Sequence, residues 1–181
     1  MRFLALIAAF VMTLSAPAFA EQEGFAPNVV LVTDGKTVPD KPLMYVDGSQ
    51  GSLADFVGDV LIVTMWQVNC PYCHKEMPVL NRLHGEMQGE GVKVVALGMD
   101  QSIGTITAHL AQTGLSNLKP IMDIGKFNGT IFSVENFGRM SIATPTSVIV
   151  NKQGTVVARV WGLVDWDGDA ARSYLRELAA S

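Results

Sequence analysis

The sequence predicts one α/β domain in which a mixed β-sheet is flanked by helices. Apolar runs typical of buried strands alternate with helical segments through the middle of the chain, and a hairpin and a helix close it. The 181 residues, 49% of them hydrophobic, are enough for one core without disulfide staples. Because only 17% are charged, intrinsic disorder is excluded.

Charge and cysteine content exclude several classes of function. The chain carries 17 acidic and 13 basic side chains, a net charge of -4, which argues against nucleic acid and anionic membranes as partners. Two cysteines form at most one disulfide, so the chain is not a disulfide-scaffold mini-protein.

Residues 1–20 have the pattern of a secretory signal peptide. Arg2 precedes an apolar run over residues 4–14, and Ala18-Phe19-Ala20 has the small-x-small form of a cleavage site. The run is about 11 residues long, whereas about 20 are needed to span a bilayer. We expect a single mature domain over residues 21–181, periplasmic in a bacterium and without stable membrane insertion. An uncleaved anchor is the alternative.

The N-terminal part of the mature chain precedes the first long strand. Short strand-like runs at 29–33 and 43–46 predict a β-hairpin or edge ribbon as an N-terminal extension. Ser52 is suited to cap a brief helix that Gly58 ends.

A central strand and a long helix follow. Val60–Trp66 is almost continuously apolar and rich in β-branched residues, which predicts a strand buried on both faces. Pro71 suits the first turn of a helix that runs to Gly89 with a kink at Pro78.

The remaining chain continues the alternation. We expect a strand at 92–99, a helix at 105–112, a short strand at 121–122 and a helix at 127–137.

A hairpin and a last helix close the chain. Residues 146–150 and 155–161 flank the turn at 151–154 and predict the hairpin. Asp165 is expected to cap the helix, whose inward face is Ala171, Tyr174, Leu175 and Leu178.

Cys70 and Cys73 form a C-x-x-C pair where the central strand gives way to the helix. A cysteine at a helix N-terminus is favoured as the thiolate, because unpaired backbone N–H groups point toward it. The second sulfur, one turn further, can attack the first, so the pair can carry two electrons by thiol-disulfide exchange.

Other interpretations of the pair remain open. A purely structural disulfide would constrain little chain, and a zinc site would lack further ligands. Together with His74 the motif also reads C-x-x-C-H, the attachment signature of c-type haem. The α/β pattern around it is unlike that of a small helical cytochrome.

Two segments resemble a known family. Residues 60–78, VLIVTMWQVNCPYCHKEMP, resemble the active-site strand and helix of thioredoxin-like proteins, in particular the exported TlpA/ResA type. Residues 143–154, ATPTSVIVNKQG, resemble the cis-proline loop, strand and turn of that family. The resemblance extends over roughly residues 52–180 and implies a thioredoxin-like fold.

The resemblance implies roles for individual residues. Cys70 would be the attacking thiolate, Cys73 the resolving thiol, and the two would form the redox disulfide. Pro145 would be cis, and the backbone of Thr144 would pair with an extended substrate. Glu76 matches a glutamate that tunes the thiols, although its pattern also fits a solvated helical residue.

Trp66 occupies the tryptophan position of the motif. We group it with the substrate-binding residues, and packing beside the site is its other interpretation. Thr64 stands where cytosolic thioredoxins carry a buried aspartate, so that acid is absent at this position.

The resemblance further implies an exported thiol-disulfide oxidoreductase without cofactor or metal. It would reduce disulfides of periplasmic proteins, with apocytochrome c as one candidate, and a membrane thiol donor would keep it reduced. The alternatives are a disulfide oxidase or isomerase with the same residues, a monohaem electron carrier, and a metallochaperone.

Overall fold

The computed structural model describes residues 24–125, residue 131 and residues 143–181. These residues form one eight-stranded sheet with three α-helices, and 3-10 turns lie at Leu53–Phe56 and Gln88–Glu90. The strands are β1 (Val29–Leu31), β2 (Leu43–Tyr45), β3 (Gln50–Gly51), β4 (Val60–Trp66), β5 (Val92–Gly98), β6 (Ile121–Asp123), β7 (Thr146–Val150) and β8 (Val156–Trp161). The helices are α1 (Pro71–Met87), α2 (Ile103–Gln112) and α3 (Asp169–Ala180).

The sheet is mixed, with the spatial order β1-β8-β7-β4-β5-β6-β2-β3. The central strand β4 runs parallel to β5 and antiparallel to β7. This arrangement confirms the predicted α/β class.

Strand β4 separates two halves of the core. Every residue of the strand is buried. Ile62 and Trp66 belong to the cluster formed with α1 and α3, whereas Leu61 and Val63 belong to the cluster on the opposite face. Because side chains alternate across a strand, an apolar residue is needed at almost every position.

The N-terminal extension contains a hairpin, but its strands are β2 and β3. The two runs expected to pair lie at opposite sides of the sheet: β1 pairs with β8, and β2 pairs with β6. The segment between them contains Pro39 and Pro42, is much longer than a hairpin turn of two to five residues, and is long enough to carry the chain to the other side of the sheet.

The starts of two helical segments show which capping predictions hold. Ser52 caps the turn at Leu53–Phe56, and Asp55 completes a capping box. The expected cap at Asp165 is wrong, because α3 begins at Asp169 after Gly168. Residues 165–168 instead form a turn, in which the Gly168 N–H donates to the Asp165 carbonyl. The Trp166 side chain within this turn is fully buried.

Most other elements match their predicted positions within two residues. The strands at β5, β6, β7 and β8 are confirmed, and Pro78 lies inside α1. The helix expected at 127–137, except for Ile131, and the signal peptide expected at residues 1–20 both fall outside the described residues. Within the described ranges, no helix has both the length and the apolar character to cross a membrane.

Candidate active site

The two cysteines form a disulfide at the N-terminus of α1. Cys70 is the N-cap residue, and its Sγ accepts a hydrogen bond from the Cys73 N–H at 3.1 Å. Cys70 is 8% exposed and Cys73 is fully buried. Cys70 is therefore the sulfur that a second protein can reach, and the helix N-terminus stabilises negative charge on it.

The loop before β7 lies against the Cys70 sulfur. The Cys70 Sγ is 3.4 Å from the carbonyl oxygen of Thr144, and the Thr144–Pro145 peptide bond is cis. The Pro145 carbonyl accepts a hydrogen bond from the Gly162 N–H at 3.0 Å, which ties this loop to the end of β8. Thr144 and Pro145 thus lie beside Cys70, where the resemblance placed them.

Glu76 lies one helical turn after Cys73, on the buried face of α1. The side chain is 2% exposed, which rules out the solvated interpretation. Its Oε1 accepts a hydrogen bond from the Trp166 Nε1 at 2.9 Å, whereas Oε2 is buried and has no hydrogen-bond partner among the described residues. Burial raises the pKa of Glu76 to about 7, and the indole hydrogen bond opposes that rise. Glu76 can therefore exchange a proton near neutral pH.

Trp66 does not line the surface of the site. Its side chain is fully buried at the end of β4, and its ring packs against His109 with centroids 5.6 Å apart. The expected substrate contact of Trp66 is therefore corrected to packing behind the disulfide. The strand that places the cysteines also turns this side chain into the core.

The short loop between β4 and α1 is held through the backbone of Val68. Its N–H donates to Asp100 Oδ2 at 3.1 Å, and its carbonyl lies 2.6 Å from His74 Nε2. The His74 ring stacks on His109 at 5.1 Å. His74 therefore helps to hold the loop that precedes Cys70 in place. It does so through Nε2, the ring nitrogen that would bind the iron of a c-type haem.

Exposed apolar side chains lie near the disulfide. Tyr72, between the cysteines, is 59% exposed. Trp161, at the end of β8, and Leu163, in the loop after it, are also exposed. Trp161 pairs with Thr146 of β7, the residue directly after the cis-proline. This part of the surface can receive an apolar segment of a protein substrate.

Sequence reasoning missed Trp166 and Asp100 as parts of the site. Trp166 is separated from Glu76 by 90 residues and Asp100 from Val68 by 32. Neither residue belongs to a motif, so only the fold reveals the contact. Among the described residues, no group of three or more His, Cys, Asp or Glu side chains could hold a metal ion.

Comparisons with known proteins agree with this geometry. The Redoxin family model matches residues 33–172. The chain is 27% identical over 161 residues to the thiol-disulfide oxidoreductase ResA of Bacillus anthracis, covering 89% of this chain and 88% of that protein.

Solved structures show the same fold. A thioredoxin-family thiol:disulfide interchange protein from Chlorobium tepidum matches with a TM-score of 0.65 at 19% identity, over 83% of this chain and 99% of that chain. A secreted thiol-disulfide isomerase from Corynebacterium glutamicum matches with a TM-score of 0.65 at 18% identity, over 92% and 96% of the two chains. The chain therefore belongs to the Redoxin family, with a thioredoxin-like fold and the cysteine pair of a thiol-disulfide oxidoreductase.

Proposed function

We propose that this protein is an exported thiol-disulfide oxidoreductase that reduces disulfides in periplasmic proteins. The single observation that carries the proposal is the Cys70–Cys73 pair at the start of α1, with one accessible and one buried sulfur beside the Thr144 carbonyl. A purely structural disulfide has no need of an accessible sulfur at a helix N-terminus, whereas an attacking thiolate does.

The reaction begins from the dithiol. The Cys70 thiolate attacks one sulfur of a substrate disulfide, forms a mixed disulfide and releases the other substrate sulfur as a thiolate. Cys73 then loses its proton and attacks the Cys70 Sγ, which releases the second substrate thiolate and closes the Cys70–Cys73 bond. The substrate gains two electrons, and an external dithiol, which becomes a disulfide, returns two electrons to the pair.

Glu76 supports the second step. It lies on the same buried face of α1 as Cys73, one turn away, so the two side chains are neighbours. A buried thiol forms its thiolate reluctantly, because burial disfavours charge. A carboxyl whose pKa is about 7 can take the Cys73 proton as attack begins and return a proton when the pair is reduced again.

Substrate contact involves the loop before β7. The Thr144 carbonyl and the cis-proline loop lie beside Cys70, where an extended segment of a substrate can pair with the backbone. Exposed Tyr72, Trp161 and Leu163 favour an apolar segment, as an incompletely folded protein presents. The relatives named thiol-disulfide oxidoreductase ResA support disulfide exchange as the reaction. Reduction as its direction, apocytochrome c as one candidate substrate and a membrane thiol donor as the reductant are parts of our proposal that the resemblance in sequence suggests.

The exported location rests on the sequence pattern of residues 1–20 and on relatives that include a secreted thiol-disulfide isomerase. Cleavage would leave a mature chain of residues 21–181. An uncleaved N-terminal anchor would place the same domain on the periplasmic side of the membrane.

Cysteine variants of the mature protein test the mechanism. Cys73→Ser should accumulate mixed disulfides with substrate proteins, because Cys70 can attack but nothing resolves the complex. Cys70→Ser, the matched control, should trap none and should not exchange. If Cys70→Ser traps substrates and Cys73→Ser does not, the assigned roles are reversed.

A redox titration against glutathione or dithiothreitol, read by thiol labelling, decides the direction. A midpoint of roughly -250 mV or below supports a reductase, whereas one near -120 mV indicates an oxidase. A visible spectrum of the same sample addresses the C-x-x-C-H alternative, because a Soret band with no labelled thiols would identify a cytochrome.

A further inference from the structure

A tryptophan far from the motif contacts the buried acid of the site. Trp166 lies in the connection between β8 and α3, and its side chain is fully buried. Its Nε1 donates a hydrogen bond to Oε1 of Glu76, whereas Oε2 has no hydrogen-bond partner among the described residues. The two oxygens of one carboxyl group therefore have different surroundings.

This asymmetry decides where a proton resides. An N–H donor that faces Oε1 disfavours a proton on that atom, because the acceptor lone pair is already engaged. When Glu76 is neutral its proton therefore lies on Oε2. When Glu76 ionises, the indole hydrogen bond stabilises the negative charge, since a bond to a charged acceptor is stronger than one to a neutral acceptor.

The hydrogen bond between Trp166 and Glu76 lies in an apolar part of the core. Burial and the Trp166 hydrogen bond are the two influences on the Glu76 pKa in the described part of the chain. Cys73 on α1 is buried in the same hydrophobic cluster as Trp166, and Tyr174 on α3 packs against that cluster. The ring of Phe25, with centroids 5.8 Å from Trp166 and 5.5 Å from Tyr174, covers the aromatic side of the contact.

We propose that Trp166 is a positioning residue that holds Oε1 of Glu76 and thereby directs proton exchange with Cys73 to Oε2. The inference rests on the proposed function, because it assigns Trp166 a role in the step in which Cys73 loses its proton. Trp166 acts through Glu76 and touches neither substrate nor sulfur in this role.

The contact itself is tested without any enzymatic assay. The indole N–H resonance of Trp166, assigned in oxidised mature protein, should titrate with a midpoint near pH 7, because Glu76 changes charge there. The titration should vanish in Glu76→Gln, whose side-chain carbonyl still accepts the bond. A resonance that does not move between pH 5 and pH 9, or that moves equally in Glu76→Gln, overturns the proposal.

The role is tested by the pH dependence of disulfide exchange. Trp166→Phe keeps an aromatic ring and removes the donor, so the midpoint that depends on Glu76 should rise by about one pH unit. Tyr174→Phe is the matched control, because it removes a hydroxyl from the same aromatic cluster and keeps both the indole and Glu76. Its midpoint should remain that of the original protein.

A double variant separates positioning from stability. In a Glu76→Gln background, Trp166→Phe should produce no additional change in the pH profile, although it can still lower the melting temperature. An unchanged midpoint in Trp166→Phe alone, with exchange intact, overturns this inference and leaves the proposed function standing. Absence of exchange in the unsubstituted protein would instead refute the proposed function.

Discussion

Cys73 and Glu76 lie one turn apart on the buried face of α1, and both side chains are almost completely shielded from solvent. A thiol and a carboxyl in such surroundings both favour their neutral forms, because burial penalises charge. This pairing brings an acid with a pKa of about 7 next to the sulfur that must lose a proton. It also makes the stability of the protein depend on pH.

We expect Glu76→Gln to be stabilising at alkaline pH. The pKa of Glu76 rises from 4.5 in the unfolded chain to about 7 in the folded one, so the folded state binds more protons between these values. The stability of the original protein therefore falls as pH rises through this window and levels off above it. The free energy of unfolding of Glu76→Gln minus that of the original protein should be about 3 kcal/mol larger at pH 8 than at pH 4.

Urea denaturation of both oxidised proteins at several pH values measures this gain. The comparison isolates Glu76, because every other titrating group is shared by the two proteins. A stability difference that is the same at pH 4 and pH 8 would show that the acid titrates normally.

Removal of the Asp34 carboxylate should destabilise the fold. Arg159 on β8 is 1% exposed and donates to Asp34 Oδ2 at 2.9 Å and to the Ile131 carbonyl at 3.1 Å. Asp34→Ala leaves a buried guanidinium without its carboxylate, at a cost of about 2 kcal/mol. The control is Asp47→Ala, because Asp47 bonds to Ser49 within its own exposed turn. Equal urea midpoints for the two variants would contradict this account.

Gly98→Ala should disturb the packing of α2 on the sheet. A Cβ at Gly98 would collide with the Ile106 side chain and would lie 3.2 Å from the Ile121 carbonyl. We expect a loss of about 1–3 kcal/mol, measured by thermal denaturation. Gly104→Ala, a substitution within α2 itself, has room around the new methyl group and should be neutral or stabilising. A Gly98→Ala protein as stable as Gly104→Ala would be inconsistent with this close approach.

Asp100→Ala should loosen the loop before the active-site cysteines. The Val68 N–H loses its acceptor, whereas the contact between the Val68 carbonyl and His74 remains. Hydrogen exchange of the Val68 amide should accelerate by about tenfold, which corresponds to one hydrogen bond. Asp40→Ala, an exposed acid of the N-terminal extension, serves as control and should leave this amide unchanged. Unchanged exchange in Asp100→Ala would show that the loop is held by other contacts.

Local signals in the sequence predicted much of the architecture. The predicted bounds of β4 and β7 agree with the structure, because their apolar runs are bounded by glycine, aspartate and proline. The first turn of α1 follows from Pro71, and the turn at Leu53–Phe56 follows from its serine cap. The cysteine pair was placed at the helix N-terminus by the same local reasoning.

Contacts between distant segments could not be predicted from the sequence. Three features join segments that are far apart along the chain: the hydrogen bond between Trp166 and Glu76, the ion pair between Asp34 and Arg159, and the pairing of β1 with β8 and of β2 with β6 on opposite sides of the sheet. Trp66 is a further example. The motif predicts its position in the chain beside the site, whereas the burial of its side chain is visible only in the structure.

The sequence by itself determined most of the described elements and the identity of the reactive sulfurs, because propensity, apolar period and helix start signals depend on residues within a few positions of one another. Only the tertiary structure decided the electrostatics of Glu76. A carboxyl on an exposed helix face is acidic in water, and the exclusion of solvent by the folded protein raises the pKa of Glu76 to about 7, against the opposing effect of the hydrogen bond from Trp166.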